Sequence, residues 1–318
     1  MADERTIRAL EEKVAELRRL VEEDGVDLRE ELALLEDRLQ KLRREYYRSL
    51  SDWDRVKLAR HPERPRGLSL IRLVCEDFYE LRGDRLGGDD LALRGGLARL
   101  AGRPVAVLFH HRGDTPEEQR ASRSGMALPA GYRKAARIMR VAERLRLPLV
   151  TFIDTPGAYP GVKAEEENVA GAIAECIATM LGLTVPTVAT IVGEGGSGGA
   201  IALAVADRVL MLENSTYTVI SPEGAAAILW KDAAAAPQAA QALALSAPRL
   251  QELGVVDEVI PEPLGGAHVD REATAAAIRE AVARHLEEIS SLPVDERRRL
   301  RYSRYRNAGN RSAKTKAD

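Results

Sequence analysis

The sequence predicts an α/β chain: strand, glycine loop and helix recur as a unit along most of its length, with a pair of helices in front. Two observations carry the unit. Gly193-Glu-Gly-Gly-Ser-Gly-Gly-Ala200 stands between a strand-like run at 186–192 and a helix-like run at 200–207. The same order appears at 148–154, 155–161 and 165–181, where Thr155-Pro-Gly-Ala-Tyr-Pro-Gly161 is the loop and its prolines and glycines fix a defined shape. If the two strands are parallel neighbours, both loops lie at one end of the sheet and face one pocket. The third observation is the N-terminal pattern. Ile7, Leu10, Val14, Leu17 and Val21 repeat at spacings of three and four, and so do Leu28, Leu32, Leu35, Leu39 and Leu42 beyond a turn at Asp24-Gly25. Two such stripes predict an antiparallel αα-hairpin over 1–50, suited to attachment or oligomerisation.

After the hairpin, residues 51–66 lose periodicity and carry Pro62 and Pro65, which predicts a connector. Residues 68–81 resume a helical period, and 83–90 form a polar loop. The runs at 91–100 and 104–109 flank the turn Ala101-Gly102-Arg103 and predict a β-hairpin. His110-His111-Arg112-Gly113-Asp114 follows at a strand end, where α/β sheets bind ligands, with no third metal ligand in register. Residues 115–128 are polar and irregular and predict a flap. A helix from Gly131 to about Leu145 places Arg133 and Lys134 near its start, against the dipole, so both are candidates for holding an anion, with a solvated basic face as the alternative. Short strands at 208–212 and 216–220 lead to Ser221-Pro-Glu-Gly224, where Ser221 is suited to cap a helix and Pro222 to its first turn. An alanine-rich helix at 233–247, a helix end and last strand within 250–260, a turn-rich loop at 261–268 and a helix at 274–289 complete the body, 51–290. Residues 291–318 are arginine-rich and predict a solvated, partly disordered tail.

The glycine stretch admits three chemistries. Gly193, Gly195 and Gly198 match a dinucleotide fingerprint, with Glu213 as the ribose acid, although that fingerprint normally opens a nucleotide-binding half rather than following most of the chain. Gly195, Ser197 and Gly199 match a nucleophile elbow, with Asp257 and His268 in the chain order of a hydrolase triad. The third needs no side chain, because the N–H groups of Gly198 and Gly199 at a helix start make an oxyanion hole.

With 47 basic and 49 acidic residues, the balance gives no global case for nucleic acid or a membrane surface as partner. No apolar run has the length of a membrane span or the character of a signal peptide, which predicts a cytoplasmic chain. Cys75 and Cys176 are too few for a four-cysteine zinc site and are read as core or surface thiols.

Leu58-Ala-Arg-His-Pro-Glu-Arg-Pro65, Phe152-Ile-Asp-Thr-Pro-Gly-Ala-Tyr-Pro-Gly161, Gly193 to Ala200, Val219-Ile-Ser-Pro-Glu-Gly224 and Ile260-Pro-Glu-Pro-Leu-Gly-Gly-Ala-His268 together resemble the bacterial acetyl-CoA carboxylase carboxyltransferase α subunits. The resemblance runs from the hairpin to about His268. It implies a crotonase-type fold of repeated ββα units and a transferase that moves a carboxyl group from carboxybiotin to acetyl-CoA, giving malonyl-CoA for fatty acid synthesis. Biotin would ride on a biotin carboxyl carrier protein. The implied partners are a β subunit with a zinc ribbon and the acyl-CoA site, in an α2β2 assembly, and a biotin carboxylase in the wider complex. No metal is implied in this chain. Carried onto these positions, the hole for the biotin ureido oxygen falls on Gly198 and Gly199, and the surrounding pocket on Gly195, Gly196, Ser197, Thr155, Pro156, Gly157, Ala158, Tyr159, Arg133 and Lys134. The sequence departs from the family pattern at 110–115, 126–134 and 167–171, segments bordering the expected pocket. A crotonase-like acyl-CoA hydrolase using Ser197 and a carboxyltransferase paralogue for another acyl-CoA are the alternatives.

Overall fold

In the computed structural model, which describes residues 4–23 and 28–308, two helices come first, α1 (Glu4–Glu23) and α2 (Arg29–Arg48). Ile7, Val14 and Leu39 are buried between them, and Arg18 pairs with Glu36 at 2.5 Å while Arg43 pairs with Glu11 at 3.6 Å, so the helices run antiparallel. The turn expected at Asp24-Gly25 lies outside the described residues. Next come α3 (Asp52–Ala59) and α4 (Gly67–Val74), then the strands β1 (Glu76–Glu80), β2 (Leu93–Leu100) and β3 (Arg103–His110). Helices α5 (Pro116–Ala121) and α6 (Pro129–Leu145) lead to β4 (Leu149–Thr155), then α7 (Val162–Glu166), α8 (Val169–Gly182), β5 (Thr187–Gly196) and α9 (Ser197–Ala204). The chain continues through β6 (Arg208–Leu212), β7 (Thr216–Thr218), α10 (Pro222–Trp230), α11 (Ala236–Leu243), α12 (Ala247–Glu252), β8 (Glu258–Ile260), α13 (Arg271–Ser290) and α14 (Val294–Arg306).

The strands form one sheet in the order β1-β2-β3-β4-β5-β6-β8. β1, β2 and β3 are antiparallel neighbours, and every pairing from β3 to β8 is parallel. β5 is an interior strand between β4 and β6, with all ten residues buried. It is covered on both faces, which is why its sequence reads as a continuous apolar run rather than an alternation. Ala189 and Ile191 face one core with α6, α8 and α9, whereas Val188 and Val192 face the other with α4 and α13. β6 pairs with the first half of β5, at 188–191, and β7 takes over at 194–196, so β5 is supported to its last residue.

Five segments of the body differ from expectation, the first being the helix expected at 233–247, which is a 3-10 turn at Ala233–Ala235 followed by α11 and ends at Leu243, where Ala244 takes a φ of 52°. The connector contains α3, started by a capping box in which the Ser51 side chain accepts from Asp54 N–H and Asp54 reaches back to Ser51. The helical period at 68–81 ends at Val74 and gives way to β1, because pairing with β2 captures 76–80. The flap at 115–128 holds α5, capped by Thr115, and a 3-10 turn at Arg123–Gly125. The helix expected at 165–181 breaks into α7 and α8 at Asn168, whose φ is 61° and whose side chain accepts the Gly171 N–H at 3.0 Å. That break falls in one of the segments that departs from the family pattern.

The tail also differs. Residues 294–306 are helical, with Arg297 and Arg301 buried, and Tyr305 Oη lies 3.0 Å from the Ala204 carbonyl oxygen. Arginine density there is a packing feature: Arg301 Nε and Nη2 donate to Asp207 at 2.7 and 2.8 Å, and its Nη1 donates to the Met180 and Leu183 carbonyls at 3.0 and 2.9 Å. Residues 309–318 of the tail lie outside the described part.

Candidate functional site

The two glycine loops meet at the carboxyl end of the parallel strands. β4 and β5 pair from Leu149↔Thr187 to Thr155↔Gly195, with the register shifting between Ile153 and Thr155, so the 155–161 loop and the start of α9 leave the sheet side by side. Gly193, Gly195 and Gly196 belong to β5, and Ser197, Gly198 and Gly199 make the first turn of α9. The glycines are required by the approach of the backbones. A Cβ on Gly196 would lie 2.2 Å from the Pro156 carbonyl oxygen, and one on Gly199 would lie 2.7 Å from Gly157 C and 3.0 Å from Ala158 N. A Cβ on Gly198 would meet only Ile173 of α8, at 3.3 Å from Cδ1, so the approach to the first turn stays open on that side. The early N–H groups of a helix have no partner within it and carry the positive end of its dipole, so this turn is built to face negative charge.

The neighbouring loop is shaped by its own contacts. The Thr155 hydroxyl accepts the Gly157 N–H at 3.1 Å and lies 2.7 Å from the Gly125 carbonyl oxygen. Tyr159 N–H donates to the Ala127 carbonyl at 3.1 Å, and the Arg123 guanidinium sits 5.8 Å from the Tyr159 ring centroid. Pro156, Ala158 and Tyr159 are part-exposed at the mouth, and Ser197 is exposed with φ of 50°.

Two residues expected at the site are engaged by carboxylates of the chain itself. Arg133 Nε donates to Asp84 at 2.9 Å, and Lys134, 1% exposed, donates to Asp89 and to the Asp90 carbonyl. Both cations fasten the 83–90 loop to α6. Their placement against the dipole is offset by carboxylates of the same chain.

Sequence reasoning missed an ion-pair cluster beneath the glycines. Glu194 accepts from Arg60 Nε and from Arg112 Nη1, each at 2.7 Å, and Arg112 Nη1 is 3.2 Å from Asp154. Burial alone would lower the Arg112 pKa, but Asp154 and Glu194 outweigh it and raise it, so the guanidinium stays charged. Arg64 Nη2 meets Glu262 at 2.5 Å, and its Nε donates to the Val192 carbonyl at 2.7 Å. Arg60 and Arg64 both belong to the Leu58 to Pro65 motif, whose role is thus to pin the connector under β5. The signal was present: Glu194 is the one long side chain in the glycine run, and Arg112 stands at the end of β3.

The hydrolase triad does not assemble. Asp257 Oδ2 accepts the Val209 N–H at 2.7 Å, and Val209 pairs with Ala189, near the start of β5. Ser197 lies eight residues further along, about 26 Å at 3.3 Å per residue. His268 stacks on His61 with ring centroids 3.7 Å apart. The dinucleotide reading fails as well, because Gly193 and Gly195 are strand residues and the Glu213 carboxylate accepts the Glu262 N–H. Among the described residues no three His, Cys, Asp or Glu side chains converge on a metal position, and no helix is long and apolar enough to cross a membrane. Cys75 and Cys176 are buried, which pushes both thiols up to about 12.

His110 is buried beside this cluster with neither ring nitrogen hydrogen-bonded, and burial lowers its pKa to about 4. An unfolded histidine takes up its proton near pH 6.5 while the folded one stays neutral, so the unfolded state binds more protons and stability falls as pH drops from about 6.5 to about 4. His110→Leu should flatten that part of the profile in urea unfolding followed at pH 7, 6, 5 and 4; an unchanged slope would show that His110 does not contribute.

The sheet, its parallel core and the glycine-lined carboxyl end define a crotonase-type carboxyltransferase fold. Among solved structures it is similar to transcarboxylase 12S, with a TM-score of 0.58 and 22% identity over 70% of this chain and 41% of that one. It is equally similar to a Pseudomonas malonate decarboxylase hetero-tetramer in complex with coenzyme A, with a TM-score of 0.58 and 22% identity over 72% of this chain and 89% of that one. The chain belongs to the acetyl co-enzyme A carboxylase carboxyltransferase-like family, whose family model matches residues 1–309. Its relatives include the acetyl-coenzyme A carboxylase carboxyl transferase subunit alpha of Geobacter metallireducens, 50% identical over 95% of both chains. The subunit of the same name from Heliobacterium modesticaldum is 48% identical over 96% of this chain and 91% of its own.

Proposed function

We propose that this chain is the α half of a split, biotin-dependent acetyl-CoA carboxyltransferase acting in the cytoplasm. It works with a β subunit that carries the zinc ribbon and the acyl-CoA site, in an α2β2 assembly served by a biotin carboxyl carrier protein and a biotin carboxylase. The observation that carries the reading is the first turn of α9, set against the Gly157–Ala158 peptide in a chain of this family. Carboxybiotin, a substrate delivered on its carrier, supplies the carboxyl group and, once that group has left, the base for the methyl proton of acetyl-CoA. The N–H groups of Gly198 and Gly199 hold the negative charge that develops on the ureido oxygen, each such donor contributing about 3 kcal/mol to the barrier reduction. Gly196 brings β5 close to the Pro156 carbonyl, Gly195 brings it close to Thr216 and Tyr217 of β7, and Thr155 holds the facing loop in shape. Tyr159 and Ala158 form the mouth. No side-chain acid or base of this chain is needed, in keeping with buried Cys176 and exposed, unpaired-by-triad Ser197.

The test is carboxyl transfer from malonyl-CoA to free biotin by the co-purified α and β subunits, with each subunit alone as control. Activity confined to the mixture supports the split transferase; association without activity redirects the search to another acyl-CoA, and absence of both overturns the reading. Ser197→Ala should keep the rate of the mixture within a few-fold, whereas a loss of more than about 10²-fold, the scale of a lost catalytic group, would return Ser197 to a chemical role.

A further inference from the structure

The oxyanion hole proposed above follows a strand end that β7 supports, but the turn that carries it is rich in glycine. Of residues 193–199, five are glycine and Ser197 is exposed. Glycine has more backbone freedom to lose than any other residue, so a hole built on it needs an external brace. Resting on that functional reading, we propose that Glu194 is the positioning residue for the hole, braced from two sides by Arg60 and by the Arg112–Asp154 pair.

The first brace is a closed ring. Glu194 N–H donates to Asp154 Oδ1 at 3.0 Å, and Arg112 Nη1 bridges that same oxygen, at 3.2 Å, to Glu194 Oε2, at 2.7 Å. Backbone and side chain of one residue are therefore tied to the same pair, which fixes φ, ψ and the side-chain rotamer together. Residue 194 is 7% exposed, and the helix that bears the two donors starts three residues later. The second brace reaches outward. Arg60 Nε donates to Glu194 Oε1 at 2.7 Å, and its Nη1 donates to Glu223 Oε1 at 2.5 Å. Glu223 lies in the first turn of α10, so Arg60 couples the end of β5 to the connector and to α10.

Charge supports the same assignment. Asp154 and Glu194 are two buried carboxylates close to where the hole receives negative charge, and without cations they would repel it. Arg60 and Arg112 cancel that repulsion while leaving the backbone donors as the local positive feature. An arrangement that served stability alone would need neither this position nor the link to the residue whose backbone leads into the hole.

The experiment uses the assembled complex with the β subunit and measures kcat and KM for malonyl-CoA in carboxyl transfer to biotin. Glu194→Gln keeps the size of the side chain but loses its charge and one arginine. We expect kcat to fall about 10- to 100-fold, the scale of a small misplacement of aligned groups, with KM changed less than about two-fold and the complex still assembled. A wild-type kcat in that variant would overturn the assignment, as would a loss traced wholly to a higher KM or to a smaller amount of assembled complex. If Glu194→Gln does not fold, Arg60→Gln, which leaves the Arg112 ring intact, decides: a lower kcat at constant KM supports the brace and an unchanged kcat overturns it. Absence of transfer by the wild-type complex would overturn the functional reading itself, and this assignment with it.

Discussion

Gly199→Val in the assembled complex should lower carboxyl transfer by about 10³-fold, the upper end of what one lost oxyanion donor costs. The first carbon of the new side chain would stand 2.7 Å from Gly157 C, closer than a non-bonded contact allows, and 3.0 Å from Ala158 N, so α9 and the 155–161 loop must move apart. Both walls of the hole are then displaced together. Because the donors are used in full only when charge has developed, the loss should appear in kcat, with KM nearly unchanged. Gly182→Ala is the matched control: a Cβ there meets nothing within 4 Å, at the exposed end of α8. It should leave the rate as it is. Normal activity in Gly199→Val would remove the hole from this helix and with it the proposed role of Gly198 and Gly199.

Arg301→Met should cost about 3–5 kcal/mol of unfolding free energy, the range for breaking one side of a buried ion pair. Arg301 is 1% exposed, and it supplies the cation for Asp207 while donating to carbonyls at the end of α8. Its loss leaves Asp207 with the Thr187 N–H and hydroxyl, at 2.8 and 2.9 Å, and no cation hydrogen-bonded to its carboxylate. Adding Asp207→Asn removes the stranded charge and should recover about half of the loss, since replacing both members of such a pair costs far less than removing one. Urea unfolding of the two variants decides this. A single-variant loss under about 1 kcal/mol, the level of an exposed pair, would mean that α14 is only loosely held.

The strands and glycine loops were legible because their signals are local. Apolar runs at 148–154 and 186–192, each followed by turn residues, correspond to β4 and β5, and Ser221 and Pro222 do start α10. The helix starts at Ser197, ahead of the expected Ala200, and takes in two glycines whose poor helix propensity pointed the other way. Residues 76–80 read as helix but are strand because β2 offers a ladder, a case of a tertiary partner overriding a weak local preference.

Charged residues divide along the same line. Composition and spacing could say that Arg60, Arg112, Arg133, Lys134 and Arg301 exist, and that some lie near strand ends or helix starts. Which carboxylate each one meets depends on chain segments far apart: 134 positions separate Arg60 from Glu194, and 94 separate Arg301 from Asp207. Period, capping and turn chemistry act within a few residues and so are written along the chain, which is why the strand–loop–helix order and the glycine stretch at a strand-to-helix junction were readable there. Ion pairing and close backbone approach form only when distant segments are brought together, and for that reason the ion pairs around Glu194, the docking of α14 and the dismissal of the Ser197 triad belong to the folded structure.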